Sequence, residues 1–389
     1  MRIVSAAVTG FRNLEEDTFE FSPRVNFVLG RNGMGKTNLF EALNFFALGR
    51  SHQGSKAEEM VAFGGETLHV SLEVEEDSGS IIRCEFGLDR SGGRRLRVDG
   101  EPVTRKADLV GKLVTVFFNP DSIVLVRGGP SHRRQFVDQG QAEVDPIYLA
   151  SLSAFNRTLK QKSGLLRDMR KGLINGNKGR EELKAWNKEL AVHAAVICLG
   201  RQDYAQLISP FAHVCHQELT ENDAPFEFVY QPNLKTVQNH LSEALEKQLK
   251  KSEIEAEILS EFDYIMGEEI QRGRPLVGPQ LDDFEVRSAS LDLRIFGSQG
   301  ETRTAAVSLI LARGDVLFQR RKIRPVLFFD DIFSELDRQR SRRLQDMASR
   351  LHQVFIATAR KDDVEGWNPD LLKAWQVSDG CFTNITLEQ

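Results

Sequence analysis

Apolar positions along the chain follow three patterns, and each predicts a kind of element. Val25–Leu29 is a short apolar run ending at a glycine, which suits a buried strand. After the glycine-rich turn, Leu39, Leu43 and Phe46 return at helical spacing, so a helix follows that strand. From Leu68 to Glu75 apolar and polar residues alternate, and Leu96 and Val98 repeat the alternation before Asp99-Gly100, a two-residue hairpin signal. These stretches predict a half-exposed antiparallel lobe attached to a strand–loop–helix unit. Lys112–Phe118 reads as a further strand, stopped by Asn119-Pro120-Asp121.

The pattern changes between about 146 and 275. Leu152, Phe155 and Leu159 mark a helix, and the run Asn175–Gly179 breaks it. Beyond the break Leu183, Leu190, Ile197, Tyr204 and Phe211 recur every seven residues, with Trp186 and Leu207 beside them. That spacing predicts a helical hairpin of coiled-coil type, ended or kinked by Pro210. A second helical stretch spans about 236–271, with Ser252 and Glu255 spaced as a capping box. Near-continuous apolar runs then return at Pro325–Phe329 and Gln353–Thr358, as parallel strands covered on both faces require. The expected architecture is α/β. One discontinuous domain, 1–145 with 276–389, would carry a helical insertion, 146–275.

Composition narrows the class. The 389 residues are too many for a single core, and 41% hydrophobic with 28% charged residues is the make-up of an ordinary soluble protein. No apolar run approaches a membrane span, and the N-terminus lacks the pattern of a signal peptide. Cys84, Cys198, Cys215 and Cys381 form no C-x-x-C pair, which points to a reducing cytoplasm and away from a zinc cluster. The net charge of −5 means that any polyanionic partner must be met by local positive charge.

Gly30-Arg31-Asn32-Gly33-Met34-Gly35-Lys36-Thr37 fits G-x-x-x-x-G-K-[ST] between a strand and a helix. Such glycines let successive N–H groups point into one anion-sized hollow at a helix N-terminus. Residues 30–37 with Asn38 are thus the candidate ATP-binding set, with Lys36 reaching the β/γ-phosphates and the Thr37 hydroxyl a ligand of Mg²⁺. Val326–Asp331 ends a buried strand in two carboxylates. Asp330 is the expected second Mg²⁺ ligand, and Asp331 the group that orients or deprotonates the attacking water; two acids there also fit a solvated turn. Ser298-Gln299-Gly300-Glu301 precedes a helical stretch and, taken alone, reads as an ordinary N-cap, since Ser and Gly are common before helices.

Asp330-Asp331 followed by Ser334-Glu-Leu-Asp337 resembles the Walker B and D-loop of ABC-type heads from the chromosome-maintenance and DNA-repair branch. Ser298-Gln299-Gly300 stands where those heads carry their signature loop. The order of motifs resembles one family, the bacterial recombination mediator RecF, over nearly the whole chain. The likeness includes Gly10-Phe-Arg-Asn13, Gly128-Gly-Pro-Ser-His-Arg-Arg134, Leu159-Lys-Gln-Lys162 and Gly278-Pro279 with Asp282-Asp283. Departures stand at Gln280-Leu281, Gln53 and Glu301. The resemblance implies an ABC-type P-loop ATPase head that dimerises with ATP. Ser298, Gln299 and Gly300 would meet the γ-phosphate held by the other copy, with Ser334 and Asp337 in the D-loop. It also implies closure over double-stranded or gapped DNA, action with RecR, RecO and RecA, and slow hydrolysis.

Independent support for DNA comes from local charge. Ten Lys/Arg lie between Arg157 and Lys188, against only Asp168, Glu181 and Glu182. Arg157, Lys160, Lys162, Arg167, Arg170 and Lys171 are the first six of these, and they are the candidate phosphate contacts. A solvated helical face is the competing reading. Arg133 and Arg134 are further candidates for phosphate or subunit contacts. Ser298-Gln-Gly-Glu301 and the basic helical insert argue against a transporter ATPase subunit, and the lack of a further acidic metal-binding domain argues against a head fused to a nuclease; a nucleotide-gated dimer with negligible hydrolysis is the remaining alternative. The short side chain of Asp331 keeps the last in view.

Overall fold

Alternation along the first strands is what builds the first sheet. Leu68, Val70, Leu72 and Val74 of one strand and Ile82, Cys84, Phe86 and Leu88 of the next are buried, with the intervening residues turned outward. The computed structural model describes residues 1–389 except 49–54, 104–111, 175, 244–250, 335, 350–352, 366 and 387–389. This sheet has six antiparallel strands in the order β2-β1-β4-β5-β6-β7: β1 (Arg2–Thr9), β2 (Asp17–Glu20), β4 (Thr67–Glu75), β5 (Ile81–Asp89), β6 (Arg94–Val98) and β7 (Glu101–Pro102). The hairpin between β6 and β7 turns on Asp99 (φ 52°) and Gly100 (φ 82°), the paired left-handed residues of a two-residue loop.

A second sheet carries the apolar runs. Its order is β15-β14-β3-β13-β12-β8, formed by β3 (Val25–Leu29), β8 (Thr115–Phe118), β12 (Val326–Asp330), β13 (Val354–Thr358), β14 (Leu372–Ser378) and β15 (Cys381–Ile385). All neighbours are parallel except β14 and β15. Every residue of β3, β12 and β13 is buried, as helix-covered parallel strands require. Helix α1 (Lys36–Leu48) follows β3, and the short α2 (Ala57–Met60) leads into β4. Thr115–Phe118 is shorter than the strand expected from Lys112.

These sheets belong to one compact unit of residues 1–122, 215–222 and 306–389; the other comprises 123–214 and 223–305. The sequence division placed its limits at 145 and 276. The units divide instead after Ser122 and Ala305, because the helix at 130–144 packs on the helices and strands of the second unit.

That second unit holds α3 (Val124–Arg127), α4 (Pro130–Val144), α5 (Pro146–Arg170) and most of α6 (Gly176–Thr220), followed by α7 (Lys235–Glu243) and α8 (Lys251–Arg272). The heptad seam is real: Leu183, Leu190, Ile197 and Tyr204 are buried. By the fourth heptad burial has moved from Phe211 to Ile208 and Ala212, the drift expected when a seven-residue repeat rides on a straight helix. Of the two outcomes expected at Pro210, an end does not occur: α6 continues through it, with buried residues on both sides carrying the helix across the missing hydrogen bond. The break before it lies at Lys171–Ile174, with the helix resuming at Gly176 and Asn175 outside the described residues. A three-stranded sheet went unread: β9 (Phe226–Gln231), β10 (Asp283–Ser288) and β11 (Leu291–Asp292). Its signal was present, since Phe226, Phe228 and Tyr230 alternate inward. The short α9 (Leu293–Phe296) follows β11. Helix α10 (Gln299–Arg321) begins in this unit and ends in the first, which also contains α11 (Arg338–Ser349).

Candidate functional site

Three strand tips converge at the glycine loop. Gly30 N–H donates to the Thr358 carbonyl at the end of β13 (3.1 Å), and Asp331 N–H donates to Ala357 O (2.9 Å). The loop is therefore tied to the strand that separates β3 from β12. Gly30 has no room for a side chain: a Cβ would lie 2.5 Å from the Val377 side chain and 2.6 Å from its carbonyl oxygen. Gly35, at φ 115°, adopts a backbone conformation that a side chain would strain.

Lys36 is buried at the start of α1, and its ammonium lies 2.6 Å from Gly30 O, 3.1 Å from Arg31 O and 3.1 Å from Asn32 Oδ1. Burial lowers its pKa, while Asp331 and Asp330 pull in the opposite direction. The Thr37 hydroxyl donates to Asp330 Oδ2 at 2.7 Å, joining residues 293 positions apart. Burial pushes the Asp330 carboxyl up to about 6, against the opposing effects of Thr37 and Lys36 and with a further push from Asp331. Asn32, Gly33, Gly35, Lys36, Thr37, Asn38, Pro120, Asp330 and Asp331 line one cleft. Arg31 is exposed, and Met34 faces the hairpin turn between β14 and β15.

A chelating donor set for a divalent cation is partly present. A carboxylate held in a desolvated place beside a hydroxyl is a group that a hard cation would relieve. Among the described residues no group of three or more His, Cys, Asp or Glu could hold a metal alone. Thr37 and Asp330 thus fit a Mg²⁺ ion, to which they would supply two oxygen ligands.

Asp331 itself sits at φ 54°, a left-handed backbone just past the end of β12. Its carbonyl accepts from the Ser334 hydroxyl at 2.8 Å, while Asp337 Oδ1 accepts from Arg340 N–H at 2.9 Å and so starts α11. Glu335 lies outside the described residues. Sequence reading missed two supports. Arg12 reaches the wholly buried Glu41 of α1 (2.6 Å), and Asn13 Oδ1 accepts from Asn38 (2.7 Å), giving Gly10–Asn13 a structural task beside the loop. Arg360, two residues past β13, binds Asp363 (2.5 Å), and Asp363 also takes the Thr358 hydroxyl. A basic residue just after a buried strand was the available signal.

In the second unit, Ser298 caps α10. Its hydroxyl accepts from Glu301 N–H (3.3 Å), and its own N–H donates to Glu301 Oε2 (2.8 Å), a complete capping box. The departure at Glu301 is thereby accommodated. Arg127 steadies the preceding turn by donating to Gly297 O (3.0 Å). Ser298 and Gln299 are exposed and Gly300 is half-buried. Gln280 donates to Val277 O (2.9 Å) and Leu281 is exposed; Gln53 lies outside the described residues.

The basic segment divides by helical phase. Arg157, Lys160, Arg167 and Lys171 follow one exposed stripe along and just beyond α5, and Arg170 is exposed beside it. On the opposite stripe Phe155, Thr158, Lys162, Leu165 and Leu166 are buried. Lys162 is therefore withdrawn from the candidate DNA contacts. It is 1% exposed, with its ammonium 2.7 Å from the equally buried Glu269 and over the Phe262 ring. Arg133 is withdrawn too: it is 1% exposed, paired with Asp283 (2.7 Å) and bound to Gly128 O (2.8 Å). Arg134 donates to Asp282 O at 2.7 Å.

A parallel sheet with a glycine loop at one strand tip and paired acids at another defines a P-loop ATPase head. The family model described as RecF/RecN/SMC N terminal domain matches residues 2–382. Curated relatives include the "DNA replication and repair protein RecF" of Lachnoclostridium phytofermentans, 30% identical with 94% of each chain covered. Another is the protein of that name from Lactococcus lactis subsp. cremoris, 31% identical over 98% of this chain and 99% of the relative. The chain belongs to the RecF family. Among solved structures, one described as "recombination mediator protein RecF-ATPrS in RecFOR pathway" aligns with TM-score 0.86 at 28% identity, covering 99% of this chain and 98% of that one. An SMC head bound to the C-winged helix domain of ScpA shares the fold alone, with TM-score 0.57, 15% identity and coverage of 100% and 98%.

Proposed function

We propose that the chain is a DNA replication and repair ATPase in which bound ATP joins two copies over DNA. The RecF relatives and the solved structure described as RecF-ATPrS support this reading. The observation that carries it is the meeting of Lys36, Thr37 and Asp330 at one cleft. Residues 30–38 bind the phosphates through loop N–H groups and the Lys36 ammonium. Thr37 and Asp330 hold Mg²⁺, which when bound neutralises phosphate charge. Asp331 orients the attacking water. Ser298, Gln299 and Gly300 at the α10 N-terminus meet the γ-phosphate of the other copy, where the helix dipole favours an anion. Ser334 and Asp337 shape the loop beside Asp331. The exposed stripe of Arg157, Lys160, Arg167, Arg170 and Lys171 neutralises backbone phosphates of double-stranded or gapped DNA. RecR is the proposed direct partner, with RecO and RecA in the same pathway, and slow, DNA-stimulated hydrolysis reopens the pair. No described helix is long and apolar enough to cross a membrane, and the proposed site of action is the cytoplasm.

Lys36→Ala tests the site. ATP affinity should fall at least about 100-fold, since a charge-assisted phosphate contact is lost. Calorimetric titration giving wild-type affinity would overturn the assignment.

A further inference from the structure

The phosphate-binding loop is held from behind by a second hairpin. Ser378 pairs with Cys381 across a two-residue turn between β14 and β15, and Asp379 (φ 49°) and Gly380 (φ 86°) are both left-handed. Gly380 N–H donates to Met34 O of the glycine loop at 2.9 Å, and Asp379 N–H lies 3.4 Å from Met34 Sδ. Gly380 O in turn accepts from Glu15 N–H at 3.1 Å. The turn is thus wedged between the loop and residues 13–15. A Cβ at Gly380 would fall on the Asn13 carbonyl oxygen, so the approach admits glycine only. One residue before the turn, Val377 fills the space that a side chain on Gly30 would need.

We infer that Gly380 is a positioning residue for nucleotide binding, aiming the Gly35 N–H into the phosphate hollow. The step from contact to function is geometric. In a trans peptide unit the carbonyl and the following N–H point in opposite directions. Fixing Met34 O backward onto Gly380 N–H therefore fixes the N–H of Gly35 forward. Gly35, at φ 115°, has no side chain to restrain it, so the restraint comes from outside the loop. An N–H already aimed at the phosphate costs no reorganisation on binding. The inference rests on the proposal that residues 30–38 bind nucleotide phosphate.

Gly380→Asn tests it. Asparagine tolerates a left-handed backbone, so the variant isolates the close approach from the strain. The control is Gly79→Asn, in the β4–β5 turn, where φ is 85° and an added Cβ meets nothing within 4 Å. Gly380→Asn should weaken ATP binding about tenfold while turnover at saturating ATP stays within about threefold, a loss of binding rather than of chemistry. Gly79→Asn should bind as wild type. A folded Gly380→Asn that also binds as wild type overturns the inference. A second readout needs no variant: Mg-ATP should slow amide exchange of the wild-type 378–381 turn together with that of residues 30–38. Protection confined to 30–38 would count against the clasp. Lys36→Ala run alongside separates the levels. If it too binds normally, the site assignment has failed; if it alone fails to bind, only the role of Gly380 has.

Discussion

The glycine-loop site and the basic face of α5 both present positive charge, but they hold it in opposite ways. Lys36 is buried, its ammonium is met by three loop acceptors, and burial lowers its pKa. Arg157, Lys160, Arg167 and Lys171 are exposed on one stripe. A buried cation keeps its charge only where the surroundings are built for it, so its geometry is specific. An exposed stripe is screened, adaptable and suited to a repeating polyanion. The difference suits the proposed recognition of one nucleotide at one place and of a DNA backbone at the other.

Lys162 gives the sharpest test, because it lies in the sequence of the basic face but in the environment of a core. Lys162→Ala should cost about 3–5 kcal/mol of stability by leaving Glu269 buried without its partner. The salt dependence of DNA binding should not change. Near-wild-type denaturant unfolding, or a reduced salt slope, would break the division between the two faces.

A smaller effect is expected at Asp330. Its carboxyl titrates at about 6 in the fold, above the ordinary carboxylate value, so the native state binds more protons than the unfolded chain between about pH 4 and 6. Stability without ligand therefore falls as pH rises through that window. Asp330→Asn, which keeps an acceptor for Thr37, removes the cost and should be the more stable by about 3 kcal/mol at pH 7, with little gain at pH 4. Parallel pH profiles for the two proteins would contradict the desolvation account. The smallest effect belongs to Lys160→Ala. Stability should change by less than about 0.5 kcal/mol, while the slope of log K against log salt loses about 0.9 for one phosphate contact. An unchanged slope would return Lys160 to the solvated surface.

Much of the geometry of the candidate nucleotide site was legible because its motif encodes backbone geometry directly. Glycines at 30, 33 and 35 with Lys36 and Thr37 required a loop between strand and helix, and the loop lies between β3 and α1. Asp330 at a strand end was readable for the same reason. The pairing of Thr37 with Asp330 was not visible as a contact, since nothing local specifies that β12 lies one strand from β3. Gly380 was invisible for that reason as well: an Asp-Gly pair signals a turn but not what the turn touches. Lys162 failed differently. Charge counting along the segment ignored helical phase, although Phe155, Thr158, Leu165 and Leu166 already placed position 162 on the inner stripe. Pro210 shows the limit of local propensity, where packing on both sides overrides a helix breaker.

The central claim is that the site is shared between two copies, with ATP as the joint. Light scattering of the wild-type chain and of Ser298→Arg, each with and without Mg-ATP, tests it most directly. Wild type should shift from monomer to dimer mass only with ATP, and Ser298→Arg should stay a monomer while still binding ATP. An ATP-driven dimer of normal mass in Ser298→Arg would contradict the account.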